Sequence, residues 1–111
     1  MEIKTNEVAG ITFVYLNGEI KSTTSGEVMD TLVGLVKGGS NKLLLNIKGV
    51  AFISSAGLRS ILVTAKLLQN SDGQMRICGA NGSVKNVLET SGFTSLVNLY
   101  SDESEALAAF T

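Results

Sequence analysis

Residues 43–68, LLLNIKGVAFISSAGLRSILVTAKLL, connect an apolar segment to a helical pattern through a turn with two serines. The apolar segment, interrupted only by Asn46, is too short to span a membrane and is typical of a strand covered on both faces. Ser54 and Ser55 follow where the carboxyl end of this strand meets the amino end of a helix. Ligands and modifications of open α/β sheets usually occupy that edge, because helix amino termini offer unpaired N–H donors there. The stretch therefore predicts an α/β fold and makes these serines the first place to look for a functional site.

The amino-terminal residues predict a β-hairpin. Residues 2–8, EIKTNEV, and 11–18, ITFVYLNG, are extended segments separated by Ala9 and Gly10, and a short glycine-containing turn between such segments is typical of a hairpin. The charged residues of the first segment favour a position at the edge of the sheet, and the more apolar second segment favours the interior. A loop over residues 18–22 leads to the first helix.

One amphipathic helix is predicted before the central strand in the sequence, and a second one after it. Thr24 with Glu27 predicts a capping box at the start of helix one, and Gly38 with Gly39 predicts its end. Helix two begins at the serine turn and ends within residues 70–73. Its inward stripe is predicted from apolar residues three and four positions apart, which are Leu58, Ile61, Leu62, Ala65 and Leu68.

The remaining third of the chain predicts two short strands and two helices. Residues 75–78 form a strand, and Asn81 is the expected N-cap of a third helix that Gly92 closes. Residues 96–100 predict a last short strand. Ser101 is the expected N-cap of a final helix, which apolar residues are predicted to attach to the body, namely Leu107, Ala108 and Phe110.

The order of these elements predicts an α/β fold in a single domain over residues 1–111. Strands and helices alternate after the opening hairpin, so we expect a mixed, mostly parallel sheet of four to five strands with an antiparallel hairpin at its amino-terminal edge. About four helices accompany it. The length of 111 residues and the hydrophobic content of 44% suit one compact core.

The composition argues against several classes of partner. Nine basic and ten acidic residues give a net charge of −1, which offers nucleic acid or an anionic membrane no electrostatic attraction. No segment has the roughly 20 apolar residues of a membrane span or the pattern of a secretory signal, so we expect a cytoplasmic protein. Cys78, the single cysteine, is expected to be a small buried side chain with no disulfide.

The absence of histidine removes the Ser-His-Asp and Cys-His arrangements and the usual zinc sites. A serine activated by a lysine is the arrangement that is left, with Lys21, Lys48 and Lys66 as candidates, but no spacing brings one of them to the serines. The glycine-containing stretches match neither the dinucleotide nor the phosphate-loop fingerprint. We therefore expect no enzymatic activity, no catalytic residue, no metal and no cofactor.

The residues of the serine turn permit two interpretations. Serine is a preferred N-cap and contributes about 1 kcal/mol in that role, which explains one of the two serines. Gly57 in the first helical turn costs stability unless something approaches the backbone closely. On these grounds a structural cap and a functional site are equally acceptable.

The stretch FISSAGLRSIL after LLLNIKGV resembles the signature of the anti-sigma factor antagonists, the bacterial proteins of the STAS domain family. Residues 16–20, LNGEI, resemble the family's segment before helix one, and residues 87–93, VLETSGF, resemble the end of its helix three. In this family the unphosphorylated protein binds an anti-sigma factor and releases the sigma factor. The anti-sigma factor is also a serine kinase of the histidine-kinase-like ATPase fold, which phosphorylates the antagonist, and a metal-dependent serine phosphatase reverses the modification.

The resemblance implies roles for particular residues of this chain. Alignment on Gly57-Leu58 puts the phosphorylated serine at Ser55, with Ser54 as the weaker candidate. Ser54 and Lys21 stand where many members of the family carry aspartate. The implied partner-binding residues are Glu19, Lys21, Ser54, Ser55, Ala56, Gly57 and Arg59.

The resemblance favours a phosphorylatable binding module that is a monomer when free. The alternative is a STAS-type switch or ligand-sensing adaptor in a signalling or secretion pathway without direct control of a sigma factor. The absence of acidic residues at positions 21 and 54 keeps this alternative open. A serine-dependent enzyme is the third hypothesis, which the missing histidine disfavours.

Overall fold

A computed structural model describes residues 1–110, and Thr111, the last residue of the predicted domain, lies outside the described residues. The strands are β1 (Glu2–Val8), β2 (Ile11–Ile20), β3 (Lys42–Ile53), β4 (Gln74–Cys78) and β5 (Leu99–Tyr100). The helices are α1 (Ser25–Lys37), α2 (Ser55–Asn70), α3 (Gly82–Thr90) and α4 (Glu103–Ala108), with a single 3-10 turn at Phe93–Ser95.

The five strands form one sheet in the order β1-β2-β3-β4-β5. β1 pairs with β2 in antiparallel orientation, and every later pair is parallel. Ala9 and Gly10 connect the hairpin with φ angles of 54° and 82°, the left-handed backbone that two-residue hairpin turns require. The predicted α/β class, the edge hairpin and the number of helices are confirmed.

The main core lies between the sheet and the helices α1, α2 and α3. Alternate residues of β3 point into it, and the buried side chains of Val28, Ile61 and Val84 meet them, one from each helix. The short α4 covers the opposite face, where Ala106 packs with Leu44 in a smaller cluster. Crossovers between parallel strands are right-handed. When the strands lie in sequential order, as here, successive crossover helices therefore lie on the same face of the sheet.

The β2–β3 pair extends past the rest of the sheet and carries the serine turn at its end. β4 pairs with β3 only as far as Asn46, whereas β2 follows β3 to the pair Ile20–Ile53. Two irregularities of register in β3 each insert one extra residue. After Leu43, Leu45 and Ile47, the next buried residues are therefore Val50 and Ile53, three apart rather than two.

Several boundaries predicted from the sequence are corrected. Residues 18–20 belong to β2 and are not part of a loop. The last strand contains only Leu99–Tyr100 and not residues 96–98, and a 3-10 turn at residues 93–95 precedes it. Leu107 and Ala108 are exposed, whereas Phe110 packs against the smaller cluster as predicted, and the buried residue of α4 is Ala106.

The predicted helix caps are confirmed only in part. The Thr24 hydroxyl makes no cap bond, since Thr24 itself has helical backbone angles and its side chain turns back to the preceding loop. Asn81 occupies the N-cap position of α3, but its side chain does not bond the helix. Asp102, not Ser101, caps α4 by accepting a bond from the Glu105 N–H at 2.8 Å.

The buried face of α2 is also displaced from the predicted stripe. Ile61, Ala65 and Leu68 are buried as expected, but Leu58 and Leu62 are half-buried. Two polar side chains, Ser60 and Thr64, are buried instead. Their hydroxyls donate to carbonyls of the same helix at 2.6 and 2.9 Å, which removes the cost of burying them.

Candidate functional site

Ser54 is the N-cap of α2. Its backbone is extended, with φ −89° and ψ 171°, and its Oγ accepts a hydrogen bond from the Gly57 N–H at 3.1 Å. Its own N–H donates to the Ile20 carbonyl at 2.8 Å, which ties the start of α2 to the end of β2. The Ser54 hydroxyl is thus engaged in holding the helix terminus.

Ser55 has a different environment although it is the next residue. It is the first residue of α2 and is exposed. Its hydroxyl makes no hydrogen bond within residues 1–110. Because α2 has no acidic residue in its first turn, the positive end of the helix dipole lies beside this hydroxyl without a compensating carboxylate.

The reason for Gly57 is the close approach of α2 to β2. A Cβ atom at this position would lie 2.5 Å from Ile20 Cγ2 and 2.8 Å from the Ile20 carbonyl oxygen. Gly57 is buried, and Ile20 is completely buried beneath it. The glycine that the sequence left unexplained is therefore required by packing inside the chain.

The loop after β2 lies beside the serine turn and is held in place by Thr24. The Thr24 hydroxyl donates to the Glu19 carbonyl at 2.8 Å and accepts from the Lys21 N–H at 2.9 Å. Lys21 Nζ lies 3.4 Å from Glu19 Oε1, with about half of each side chain exposed. An exposed pair of this kind contributes little to stability, so both charges are available at the surface.

The fold brings most of the predicted partner-binding residues to one end of the molecule. Glu19 and Lys21 lie at the end of β2, whereas Ser54, Ser55 and Ala56 begin α2, and Ser54 bonds across to Ile20. Arg59 is exposed one turn further along α2. Gly57 is brought to the same place but is buried and offers no surface of its own.

Phe52 is a residue of this surface that the sequence did not reveal. It pairs in register with Glu19 and is 45% exposed, a high value for a large aromatic side chain. The neighbouring Ile53 points into the core, so Phe52 faces away from the helices. A strand predicted to be covered on both faces gives no reason to expect an exposed Phe52, which lies in the part of β3 that extends past β4.

The remaining features concern metal ligands, membrane-spanning helices and two side chains with raised pKa values. Within residues 1–110 no three metal-ligating side chains come together, and none of the helices described is long and apolar enough to cross a membrane. Cys78 is buried as predicted, and burial, followed by the charges of Glu103 and Asp102, raises the pKa of its thiol to about 11. A hydrogen bond of 2.6 Å to Glu103 is the main reason that the pKa of Tyr15 rises to about 12.

The family assignment rests on the whole length of the chain. A family model described as STAS domain matches residues 2–106. The chain is 30% identical to BtrV of Bordetella bronchiseptica, described as a putative anti-sigma factor antagonist, over 110 residues, which are 99% of this chain and 95% of that protein. It is also 30% identical to the anti-sigma F factor antagonist of Paenibacillus polymyxa over 108 residues, covering 96% of this chain and 92% of that protein.

Solved structures agree on the fold. The anti-sigma factor antagonist SpoIIAA in its unphosphorylated form superposes with a TM-score of 0.76 at 13% identity, over 96% of this chain and 94% of that chain. The phosphorylated form of SpoIIAA, a Bacillus protein, gives a TM-score of 0.77 at 16% identity, over 99% of this chain and all of the other. With the matches in sequence, these likenesses show that the chain belongs to the STAS domain family of the anti-sigma factor antagonists.

Proposed function

We propose that the unphosphorylated chain binds an anti-sigma factor and so releases a sigma factor, and that phosphorylation of Ser55 ends this binding. The observation that carries the proposal is the difference between the two serines. Ser55 presents an exposed hydroxyl at the start of α2, while the Ser54 hydroxyl accepts the bond that caps the helix. The names of the relatives and the existence of SpoIIAA in both phosphorylation states support the same role.

Ser55 is the better acceptor for steric and energetic reasons. A kinase must bring the γ-phosphorus of ATP in line with the hydroxyl oxygen, and an exposed side chain without hydrogen bonds permits that approach. Modification of Ser54 would add a bulky dianion to the atom that accepts from the Gly57 N–H. The helix start would then have to rearrange, because Ser54 is also bonded to β2 through its N–H.

The domain tolerates a phosphate at Ser55 because the start of α2 is favourable for negative charge. A phosphoserine carries about −1.5 to −2 charges at neutral pH, and a charge at a helix amino terminus gains about 0.3 to 1 kcal/mol. Ser55 is exposed, so the new group remains in water. Phosphorylation therefore changes the surface and leaves the fold intact.

A partner packed over the same turn experiences the opposite effect. It has to remove water from the phosphate or clash with it, and unpaired burial of a charge costs several kcal/mol. Each 1.4 kcal/mol lost corresponds to about a tenfold loss of affinity, so the complex dissociates. The exposed ring of Phe52 beside Glu19 supplies the apolar contact that a protein interface of this kind needs at its centre.

The resemblance to the family supports the remaining parts of the cycle. The anti-sigma factor is proposed to be a serine kinase of the histidine-kinase-like ATPase fold, and a metal-dependent serine phosphatase is proposed to remove the phosphate. The chain itself acts as a monomeric binding module in the cytoplasm and catalyses no step. The surface around Ser55, with Glu19, Lys21, Ala56 and Arg59, is proposed to contact the kinase.

Phosphorylation by the kinases of the source genome tests this proposal. The purified chain is incubated with ATP and, in turn, each encoded serine kinase of the histidine-kinase-like fold, and the modified residue is identified by mass spectrometry. We expect a single phosphate on Ser55, with none on a Ser55→Ala variant. A phosphate on Ser54 would contradict the assignment of the acceptor, and no phosphate with any of the kinases would contradict the proposed function.

A further inference from the structure

Arg59 is an exposed cation in the first half of α2 that has no carboxylate partner within residues 1–110. The helix itself offers it none, because residues 55–70, SAGLRSILVTAKLLQN, include no acidic residue. A carboxylate three or four residues away on the helix surface would be within reach of the guanidinium. The charge of Arg59 is therefore uncompensated along its own helix.

The positions that neighbour Arg59 on the helix surface include one oxygen-bearing side chain. Residues three and four apart face each other along a helix, which for Arg59 means Ala56 and Leu62 at three and Ser55 and Val63 at four. Ser55 and Arg59 are both exposed, whereas Gly57 between them is buried against Ile20. The serine hydroxyl and the guanidinium thus lie on the same outward side of α2.

A phosphate on Ser55 would stand in the place of the missing carboxylate. The acidic group would precede the basic one by four residues, the better orientation of an ion pair on a helix. A guanidinium is suited to this task because it donates two parallel N–H bonds to phosphate oxygens. The positive end of the helix dipole acts on the same group.

We propose that Arg59 binds the phosphate of phosphorylated Ser55 in an ion pair within the first turns of α2. This inference rests on the proposed function for the choice of Ser55 as acceptor. The pair holds the phosphate against the surface of its own domain, so that a phosphatase has to break it before hydrolysis. Arg59 is accordingly a positioning residue for the phosphorylated state.

Lys21 is the other cation near the turn, and its situation differs. Its ammonium group already lies 3.4 Å from Glu19 Oε1, and the Glu19 carboxylate next to it would repel a phosphate. Lys21 lies in the loop after β2, so it is not a helical neighbour of Ser55 four residues away, as Arg59 is. Arg59 is for these reasons the residue expected to take the phosphate.

The second ionisation of the phosphate reports the pair directly. Phosphoserine is inserted at position 55 during translation, so that no kinase is needed, and the phosphate is titrated by phosphorus NMR. An opposite charge lowers the pKa of the phosphate. For an exposed pair we expect Arg59→Met to raise that pKa by about 0.2 to 0.4 pH unit relative to the unchanged sequence.

Matched variants separate this pair from a general effect of charge. Lys66 is exposed on the same helix about three turns beyond Ser55, so Lys66→Met removes one positive charge and is expected to leave the pKa unchanged. Arg59→Lys should raise the phosphate pKa less than Arg59→Met does, because lysine keeps the positive charge but loses the two-donor geometry.

Two results would overturn the inference. The first is a phosphate pKa that is equal in the Arg59→Met variant and in the unchanged sequence. The second is a phosphate pKa that rises in a Lys21→Met variant and not in the Arg59→Met variant. Since the phosphoserine is introduced without a kinase, either result leaves the proposed function standing. A failure of that function would appear instead as the absence of phosphate on Ser55 in the kinase experiment.

Discussion

Ser54 and Ser55 carry the same hydroxyl and differ in the backbone beneath them. Ser54 has extended backbone angles just outside α2, which direct its oxygen towards the Gly57 N–H at 3.1 Å. Ser55 is already part of the helix, and its side chain points into solvent. One residue therefore maintains the helix terminus, and the next is free to be modified.

Alanine substitutions measure this division of roles. Ser54→Ala removes the cap and should lower the free energy of unfolding by about 1 kcal/mol, within the roughly 0.5 to 2 kcal/mol typical of lost N-caps. Ser55→Ala removes an exposed hydroxyl and should change it by less than about 0.5 kcal/mol. Urea denaturation of the two variants beside the unchanged sequence provides the comparison, and equal losses of stability would refute the assignment of the cap.

The sequence alone did not distinguish the two serines, because either can cap a helix and the choice depends on where the helical backbone angles begin. Thr24 shows the same limit, because here a predicted cap does not form. Its spacing to Glu27 fits a capping box, but the chain is already helical at Thr24, and the hydroxyl bonds Glu19 and Lys21 instead. Residue types predict that a cap is possible, and the path of the backbone decides which residue provides it.

At the scale of the elements, the site depends on how closely α2 begins above the end of β2. Gly57 permits this approach, since a Cβ would lie 2.5 Å from Ile20 Cγ2. The bond of 2.8 Å from the Ser54 N–H to the Ile20 carbonyl fixes the same contact through the backbone. The orientation of Ser55 is thus set by the packing of a helix against a strand.

Two glycine-to-alanine variants test this contact. Gly57→Ala should destabilise the protein by about 1 to 3 kcal/mol, the usual cost of forcing atoms into a filled core. Gly34 lies inside α1, where an added Cβ would meet no atom within 4 Å, so Gly34→Ala should stabilise by up to about 1 kcal/mol. Thermal and urea unfolding would show opposite signs for the two variants, and a stabilising Gly57→Ala would contradict the packing argument.

The elements themselves were largely predictable, and their details were not. Alternation and apolar runs located β2, β3 and α2, because burial of one face imposes a period on the sequence. The two extra residues in β3 interrupt that period between Ile47 and Ile53. The exposure of Phe52 was not predicted because β3 was expected to be covered on both faces, whereas its last residues extend past β4. Ser60 and Thr64 were missed on α2 because hydroxyls that bond the carbonyls of their own helix are compatible with burial.

At the scale of the whole molecule, the proposed phosphorylation changes the surface charge at one end of the domain. The sheet is continuous from β1 to β5, with helices on both faces, and Ser55 lies outside both cores. A phosphate there has no packed element to displace.

The most direct test measures binding and folding on the same variant. Calorimetric titration of the kinase that phosphorylates the chain is carried out with the unchanged sequence and with Ser55→Asp, and the melting temperature of each is recorded. We predict at least about a hundredfold loss of affinity, equivalent to roughly 3 kcal/mol, with a melting temperature nearly unchanged. A Ser55→Asp variant that binds the kinase as tightly as the unchanged sequence would contradict the proposed switch.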